Sequence, residues 1–153
     1  MLKRTTTITR ATARDAARLT ALVRASNGYQ GRYAPIIAGY EVTADYVARH
    51  PTFVALDEGG GLLGFYSLFL EPPAELDMLF VANEAQGTGL GRLLVEHMLA
   101  EARKAGLTEV RVVSNPPAER FYRRVGAELV GRVPPKPPKV TWERPELRFT
   151  LER

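Results

Sequence analysis

Between a strand-like run and a long helical run lie Gln86-Gly87-Thr88-Gly89-Leu90-Gly91, and this junction constrains the fold more than any other stretch. The run before it, Glu75-Leu76-Asp77-Met78-Leu79-Phe80-Val81, has strand composition. Strict alternation would place Glu75, Asp77, Leu79 and Val81 on one side. The run after it reads as a helix from about Gly89 to Ala105, closed by Gly106. Glycines let the backbone turn sharply and approach a ligand closely. The first turn of the helix adds unpaired N–H groups and the positive end of its dipole, which suit a pyrophosphate.

The remaining elements fit around that junction. Thr5-Thr6-Thr7-Ile8-Thr9-Arg10 is rich in β-branched residues and reads as a first strand. Thr12-Ala13-Arg14-Asp15 has the form of a capping box. Leu19, Leu22 and Val23 follow at helical spacing, so a helix is expected to about Ser26. Residues 28–42 carry Tyr29, Tyr33 and Tyr40 and match no element. Thr43 to His50 reads as a short helix stopped by Pro51. Strands follow over Thr52 to Leu56 and Leu62 to Leu70, joined by the turn Asp57-Glu58-Gly59-Gly60-Gly61. Val110, Val112 and Val113 mark a fifth strand, and Pro116 or Pro117 opens a helix to Val125. Residues 127–133 read as a strand. Pro134 to Pro145 holds five prolines and is expected to be extended and stiff. Leu147, Phe149 and Leu151 alternate with polar residues in a last, half-buried strand. The order β-α-α-β-β-β-α-β-α-β-β is that of a mixed α/β layer fold.

Composition removes several classes of function. The 153 residues suffice for one ordinary domain, expected to span residues 1–153. Hydrophobic residues at 45% and charged residues at 25% exclude wholesale disorder. Cysteine is absent, which removes disulfides, thiolate metal sites and cysteine nucleophiles. The two histidines, His50 and His97, stand far apart, so no metal is expected. No stretch reaches the roughly 18 apolar residues of a membrane span. The basic start, Met1 to Thr7, lacks the apolar core of a secretory signal. A cytoplasmic location is the expectation. The net charge of +4 sits in residues 119–153, which hold nine Lys/Arg and five Asp/Glu. Such a patch suits an anionic partner or is simply a solvated surface.

Three nucleotide loops compete for residues 86–91. A Walker A loop ends in Gly-Lys-Ser/Thr, where this chain has Gly91-Arg92-Leu93. A dinucleotide fingerprint needs a glycine at position 92, which is Arg92. The third is Gln-x-x-Gly-x-Gly after a strand ending in valine, and it resembles the acetyl-CoA motif of the GNAT superfamily of N-acetyltransferases. The stretch from Leu79 to Leu94 is similar to that family's fourth strand, loop and third helix. Asn115-Pro116-Pro117-Ala118-Glu119-Arg120-Phe121-Tyr122-Arg123-Arg124-Val125-Gly126-Ala127 resembles its second signature. Specific likeness covers residues 75–133; elsewhere only the layout matches.

The resemblance implies a fold and a set of roles. The fold is an acyl-CoA N-acyltransferase one, a central mixed sheet flanked by helices with its fourth and fifth strands splayed. The pantetheine arm would pair with the backbone of Leu79, Phe80 and Val81 as an added strand. An N–H of Phe80 or Val81 would polarise the thioester carbonyl. Gln86, Gly87, Thr88, Gly89, Leu90, Gly91 and Arg92 would cradle the pyrophosphate. Asn115 would face the pantetheine or the opened strand end, and Arg124, or else Arg123, a CoA phosphate. Tyr122 falls where the family places its general acid, and Phe121 beside it has a packing role. A phenol with pKa near about 10 suits a thiolate with pKa about 8.5. Glu75 aligns with a position where some members carry a general base, and Asp77 lies closer to the reacting centre. The alternative for either is a solvated strand start.

The implied activity is acetyl transfer from acetyl-CoA to a primary amine in a ternary complex, the acceptor being a small molecule or a protein amine. A catalytically silent acyl-CoA-binding or regulatory domain is the rival. Neither a membrane nor a nucleic acid is an expected partner, since Phe121, Tyr122, Trp142 and Phe149 form no known stacking platform. The family's layout is compatible with a homodimer. Tyr29, Tyr33, Tyr40 and Tyr66 either line an acceptor cleft or pack in the core. Trp142 is a lid or dimer contact, or part of a stiff hairpin. His97 reads as a boundary residue of a packed helix, and His50 as a helix-end residue.

Overall fold

The computed structural model describes residues 5–29 and 31–151, apart from the Arg32 side chain. The basic start, Met1 to Arg4, lies outside the described residues. Strands β1 (Thr7–Arg10), β2 (Thr52–Leu56), β3 (Leu62–Phe69), β4 (Glu75–Val81), β5 (Glu109–Val113), β6 (Glu128–Val133) and β7 (Arg144–Thr150) form one sheet. Their spatial order is β1-β2-β3-β4-β5-β7-β6. Every neighbouring pair is antiparallel except β4 and β5, which run parallel. Helices α1 (Ala16–Arg24) and α2 (Ala44–Arg49) cover one face, α3 (Leu90–Lys104) and α4 (Glu119–Arg124) the other.

Each face has its own core. Leu19 and Val23 of α1 and Val47 of α2 pack with Val54, Phe65 and Met78. On the opposite side Leu90, Leu94, Val95, Met98 and Ala102 form the buried stripe of α3, at the spacing an amphipathic helix requires. Local chemistry starts the helices. The Thr12 N–H donates to Asp15 Oδ2 at 2.8 Å, and the chain enters α1 through a tight turn over Ala13–Asp15. Thr43 Oγ1 caps α2 by accepting the Tyr46 N–H at 3.0 Å. Residues 31–36, unassigned from sequence, form a 3-10 turn. Among the described residues no helix is long and apolar enough to cross a membrane.

Two expectations are corrected. The proline-rich segment is not simply extended: Lys136 and Val140 exchange backbone hydrogen bonds of 2.7 and 3.1 Å, so it folds back in a tight turn. The alternation along β4 is also broken. Met78 pairs with Ser67 and Leu76 with the next residue, Leu68, so Asp77 is the extra residue of a β-bulge. Leu76, Leu79 and Val81 consequently face α3 and α4, whereas Met78 and Phe80 face α1. Glu75 and Asp77 thus lie on the opposite side of the strand from Leu79 and Val81. Tyr66 is core: it is fully buried toward α3, with its hydroxyl 2.7 Å from His97 Nδ1 and its ring stacked on Phe53.

One polar residue ties the end of α1 to the turn before α3. Asn83 Oδ1 accepts the Asn27 N–H at 2.9 Å, and its Nδ2 donates to the Ala25 carbonyl at 2.7 Å. Two such bonds contribute about 1–2 kcal/mol together. Asn83→Ala should lower the unfolding free energy by that amount, read in urea as a lower midpoint with an unchanged denaturant slope.

Candidate active site

The junction of β4 and β5 creates the site. The two strands pair only at Glu75 and Arg111, where the Arg111 N–H also donates to the Ala74 carbonyl at 2.9 Å. Beyond that point they diverge around a cavity of about 400 Å³. Leu76 to Val81 form one wall and Val112 to Asn115 the other, with Phe121, Tyr122 and Tyr29 also lining it. A second concavity of about 410 Å³ runs along the start of α3, past Gln86, Gly87, Gly89, Arg92 and Arg124. Val81, Gln86, Gly91 and Phe121 border both, so the two are adjoining.

The glycine loop has the backbone that its sequence suggests. Gly89 sits at φ +88°, in the left-handed region, and precedes the first turn of α3. The first helical hydrogen bond runs from the Leu93 N–H to the Gly89 carbonyl at 3.1 Å, which leaves the amides of Leu90, Gly91 and Arg92 ahead of the helical ladder. Gly91 is needed for close approach: a Cβ there would lie 3.0 Å from the Phe121 ring. Two residues of the motif have inward roles. The Thr88 hydroxyl donates to the Ala85 carbonyl at 2.5 Å, and the Leu90 side chain is buried in the core.

Asn115 lines the cavity beside Ser114. Its Nδ2 donates to the Gly28 carbonyl at 3.4 Å, while its Oδ1 is buried without a partner among the described residues. The first α4 arginine after Tyr122, Arg123, pairs with Glu119 at 3.4 Å, so it is Arg124 that faces the glycine loop. Tyr122 is buried, packs edge-on against Phe121 with centroids 5.2 Å apart, and borders the cavity. Burial raises its pKa well above the usual phenol value, with a smaller contribution from Tyr29.

The two carboxylates of β4 have different environments. Glu75 Oε1 accepts from Arg111 at 3.1 Å, and Arg111 also donates to Glu146 at 2.8 Å. Glu75 therefore sits at the closed end of the gap and does not line the cavity. Burial raises its pKa against the opposing pull of Arg111. Asp77 does line the cavity. Its Oδ2 accepts the Tyr46 hydroxyl at 2.5 Å, and that hydroxyl lies 2.7 Å from Ser67 Oγ. Burial raises the Asp77 pKa, opposed by the Tyr46 hydrogen bond and the nearby His50. Sequence reasoning did not identify Tyr46, because its place on α2 carries no sign of its partner across the sheet. Tyr29 stacks on Phe80 at 5.7 Å, and Tyr33 meets Trp142 edge-on at 4.7 Å, joining the 28–42 segment to the proline-rich turn.

A model of the acetyltransferase (GNAT) family matches residues 14–127. The chain belongs to the GNAT acetyltransferase family. The peptidyl-lysine N-acetyltransferase YjaB of Salmonella typhimurium is 34% identical to this GNAT protein over 92 residues, 60% of either chain. The matched stretch thus spans about 60% of that relative's length. Solved structures share the fold at low identity. A GNAT-family protein from Desulfovibrio desulfuricans superposes with a TM-score of 0.79 at 16% identity, covering 97% of this chain and 100% of that one. YncA of Salmonella typhimurium, solved with acetyl-CoA, gives 0.70 at 21%, covering 97% and 95%. The mixed sheet with its diverging parallel pair is the architecture that the resemblance implied.

The raised Asp77 pKa has a consequence for stability. A carboxyl that holds its proton more tightly when folded favours folding at low pH, and that benefit is lost as pH rises from its ordinary value of 3.8 through its folded value. Asp77→Asn keeps an acceptor for Tyr46 and removes the buried charge. It should unfold at a higher temperature than the parent at pH 7, with the difference shrinking toward pH 4 in calorimetry.

Proposed function

We propose that this GNAT protein transfers an acetyl group from acetyl-CoA to a primary amine by direct attack, with both substrates bound together. The observation that carries the reading is the divergence of β4 from β5, which leaves a strand edge without a partner among the described residues beside the glycine loop. An extended ligand with amide groups suits such an edge. The residues present fit acetyl-CoA: unpaired amides at the start of α3, Arg92 and Arg124 beside them, and an orphaned buried oxygen on Asn115. The relative named for peptidyl-lysine supports an amine acceptor.

Acetyl-CoA supplies the activated acyl carbon as a thioester. The backbone from Leu79 to Val81 holds the pantetheine arm, and the N–H of Phe80 or Val81 stabilises charge developing on the carbonyl oxygen. The amides of Leu90 to Arg92, with the Arg92 and Arg124 guanidinium groups, receive the phosphates. Asn115 Oδ1 accepts a hydrogen bond from the arm. As the amine nitrogen bonds to the acyl carbon and the carbon–sulfur bond breaks, Asp77 takes the proton that the nitrogen loses, directly or through water. Tyr122 supplies a proton to the departing sulfur, and exchange with solvent resets both groups. Glu75 has no part in this proton transfer, because Arg111 holds it at the strand junction.

Thermal unfolding with acetyl-CoA, CoA, ATP and NADH tests the donor. A ligand at 100 times its Kd stabilises by about 2.7 kcal/mol. A shift with the two CoA species alone is the expected result; its absence would remove the donor assignment. Gly89→Asp, which strains a left-handed backbone position and puts a negative charge at the anion site, should lose that shift. Tyr122→Phe should keep it and lower kcat by about 100-fold or more. Undiminished kcat would reduce Tyr122 to packing, and a parent that binds acetyl-CoA yet turns over no amine would be a silent binding domain.

A further inference from the structure

A smaller cavity of about 190 Å³ lies between α1 and β4, on the α1 side of the Tyr29–Phe80 stack. It shares Tyr29, Asp77, Met78 and Phe80 with the main cavity, so Asp77 stands on the border of the two. Val23 and Ile37 supply aliphatic wall, and Tyr29, Tyr40 and Phe80 supply aromatic wall. The Tyr40 hydroxyl is engaged with Met78 Sδ at 3.6 Å, which turns its polar end to the wall. Asp77 is the one charged side chain lining the cavity among the described residues. Tyr46 takes its Oδ2; Oδ1 has no hydrogen bond from the described residues.

That combination has a definite ligand chemistry. An ammonium group is favoured beside a single carboxylate and over aromatic faces. The rest of the lining offers no partner for a second charge. A cavity on the order of 150 Å³ with an aliphatic and aromatic lining holds a benzene ring, so 190 Å³ takes a compact hydrocarbon body. We propose that the acceptor is a primary amine on a compact apolar body, with its nitrogen against Asp77 and its body in the cavity between α1 and β4. This deepens the acetyl-transfer reading and rests on it. It differs from a peptidyl-lysine acceptor, whose polar backbone has no place in this side cavity. It differs equally from an amino acid, whose carboxylate would enter an uncharged pocket or lie near Asp77.

The test measures thiol release from acetyl-CoA with 3-methylbutylamine, 2-phenylethylamine, leucine, phenylalanine, spermidine and Nα-acetyl-lysine methylamide. Each apolar amine should have a kcat/KM at least tenfold above its amino acid, above spermidine and above the lysine derivative. Ile36→Trp intrudes on the side cavity from a half-buried position. It should lower kcat/KM for the apolar amines at least tenfold while the acetyl-CoA thermal shift stays unchanged. Val23→Phe fills the same cavity from α1 and is expected to act alike, which covers a failure of either variant to fold. Preference for leucine, spermidine or the lysine derivative would overturn the proposal. So would apolar amines that are not turned over, or that ignore both variants, in a protein that still binds acetyl-CoA. Loss of the acetyl-CoA shift in the parent is a separate result, and it would remove the acetyl-transfer reading itself.

Discussion

The site depends on one arginine at the seam of the sheet. The first four strands of the chain pair antiparallel in one half, and β5, β7 and β6 in the other. The halves meet where Glu75 pairs with Arg111. Arg111 reaches Glu75 at 3.1 Å and Glu146 at 2.8 Å, so its guanidinium links β4, β5 and β7 at the apex of the gap. Without that charge, two half-buried carboxylates would oppose each other at the one place where the halves touch. With it, the strands are held together at one end and free to separate at the other. Unpaired edges of this kind would be a liability at the exposed rim of a sheet. Here they face a cavity, and the proposed binding of a strand-like ligand rests on them.

That seam also divides the labour of the two acidic residues of β4. Glu75 is occupied by Arg111 at the junction of the strands. Two residues on, the bulge places Asp77 at the open part of the gap, under Tyr46 from α2. Both carboxyls have raised pKa values from burial, but the groups opposing that rise differ: the Arg111 guanidinium for Glu75, and first the Tyr46 phenol, then the His50 imidazole, for Asp77. A neutral donor leaves the carboxylate more basic than a cation at contact would, which suits Asp77 to taking a proton. The bulge thus does two things at once. It aims Asp77 into the cavity, and it turns Leu79 and Val81 toward the helical layer of α3 and α4.

Much of this was legible in the residues, and the parts that were not share a cause. The order of helices and strands follows from local periodicity and breakers, and the glycine loop from the spacing of residues 86–91. The reading of β4 failed at the bulge, because an extra residue in a strand has no signature of its own and the run Met78 to Val81 is apolar whichever face each residue takes. The Tyr46–Asp77 bond joins residues 31 positions apart, and Asn83 reaches back 58 positions to Ala25. Such contacts depend on how layers stack, and neither partner's neighbours in the chain announce them. The basic C-terminal quarter looked like a single patch in sequence. In the structure Arg123, Arg132 and Arg148 are paired with glutamates, and Arg124 is the member turned to the glycine loop.

Burial of Tyr122 bears on how the proposed leaving-group step can work. In water a phenol near about 10 and a thiol near about 8.5 are close in acidity. Raising the phenol alone would widen that gap and weaken it as an acid. A thiolate leaving into the same apolar cavity is disfavoured by the same loss of solvation, so its pKa rises too. The quantity that governs transfer is the difference between them, and burial moves both in one direction. Burial also favours the neutral phenol, so the proposed donor keeps its proton at pH values where an exposed phenol would begin to lose it. In a cavity of low polarity that hydrogen bond is worth more than in water. In the proposed step Tyr122 therefore needs no neighbouring base to tune it, only its enclosure by Phe121 and the two diverging strands.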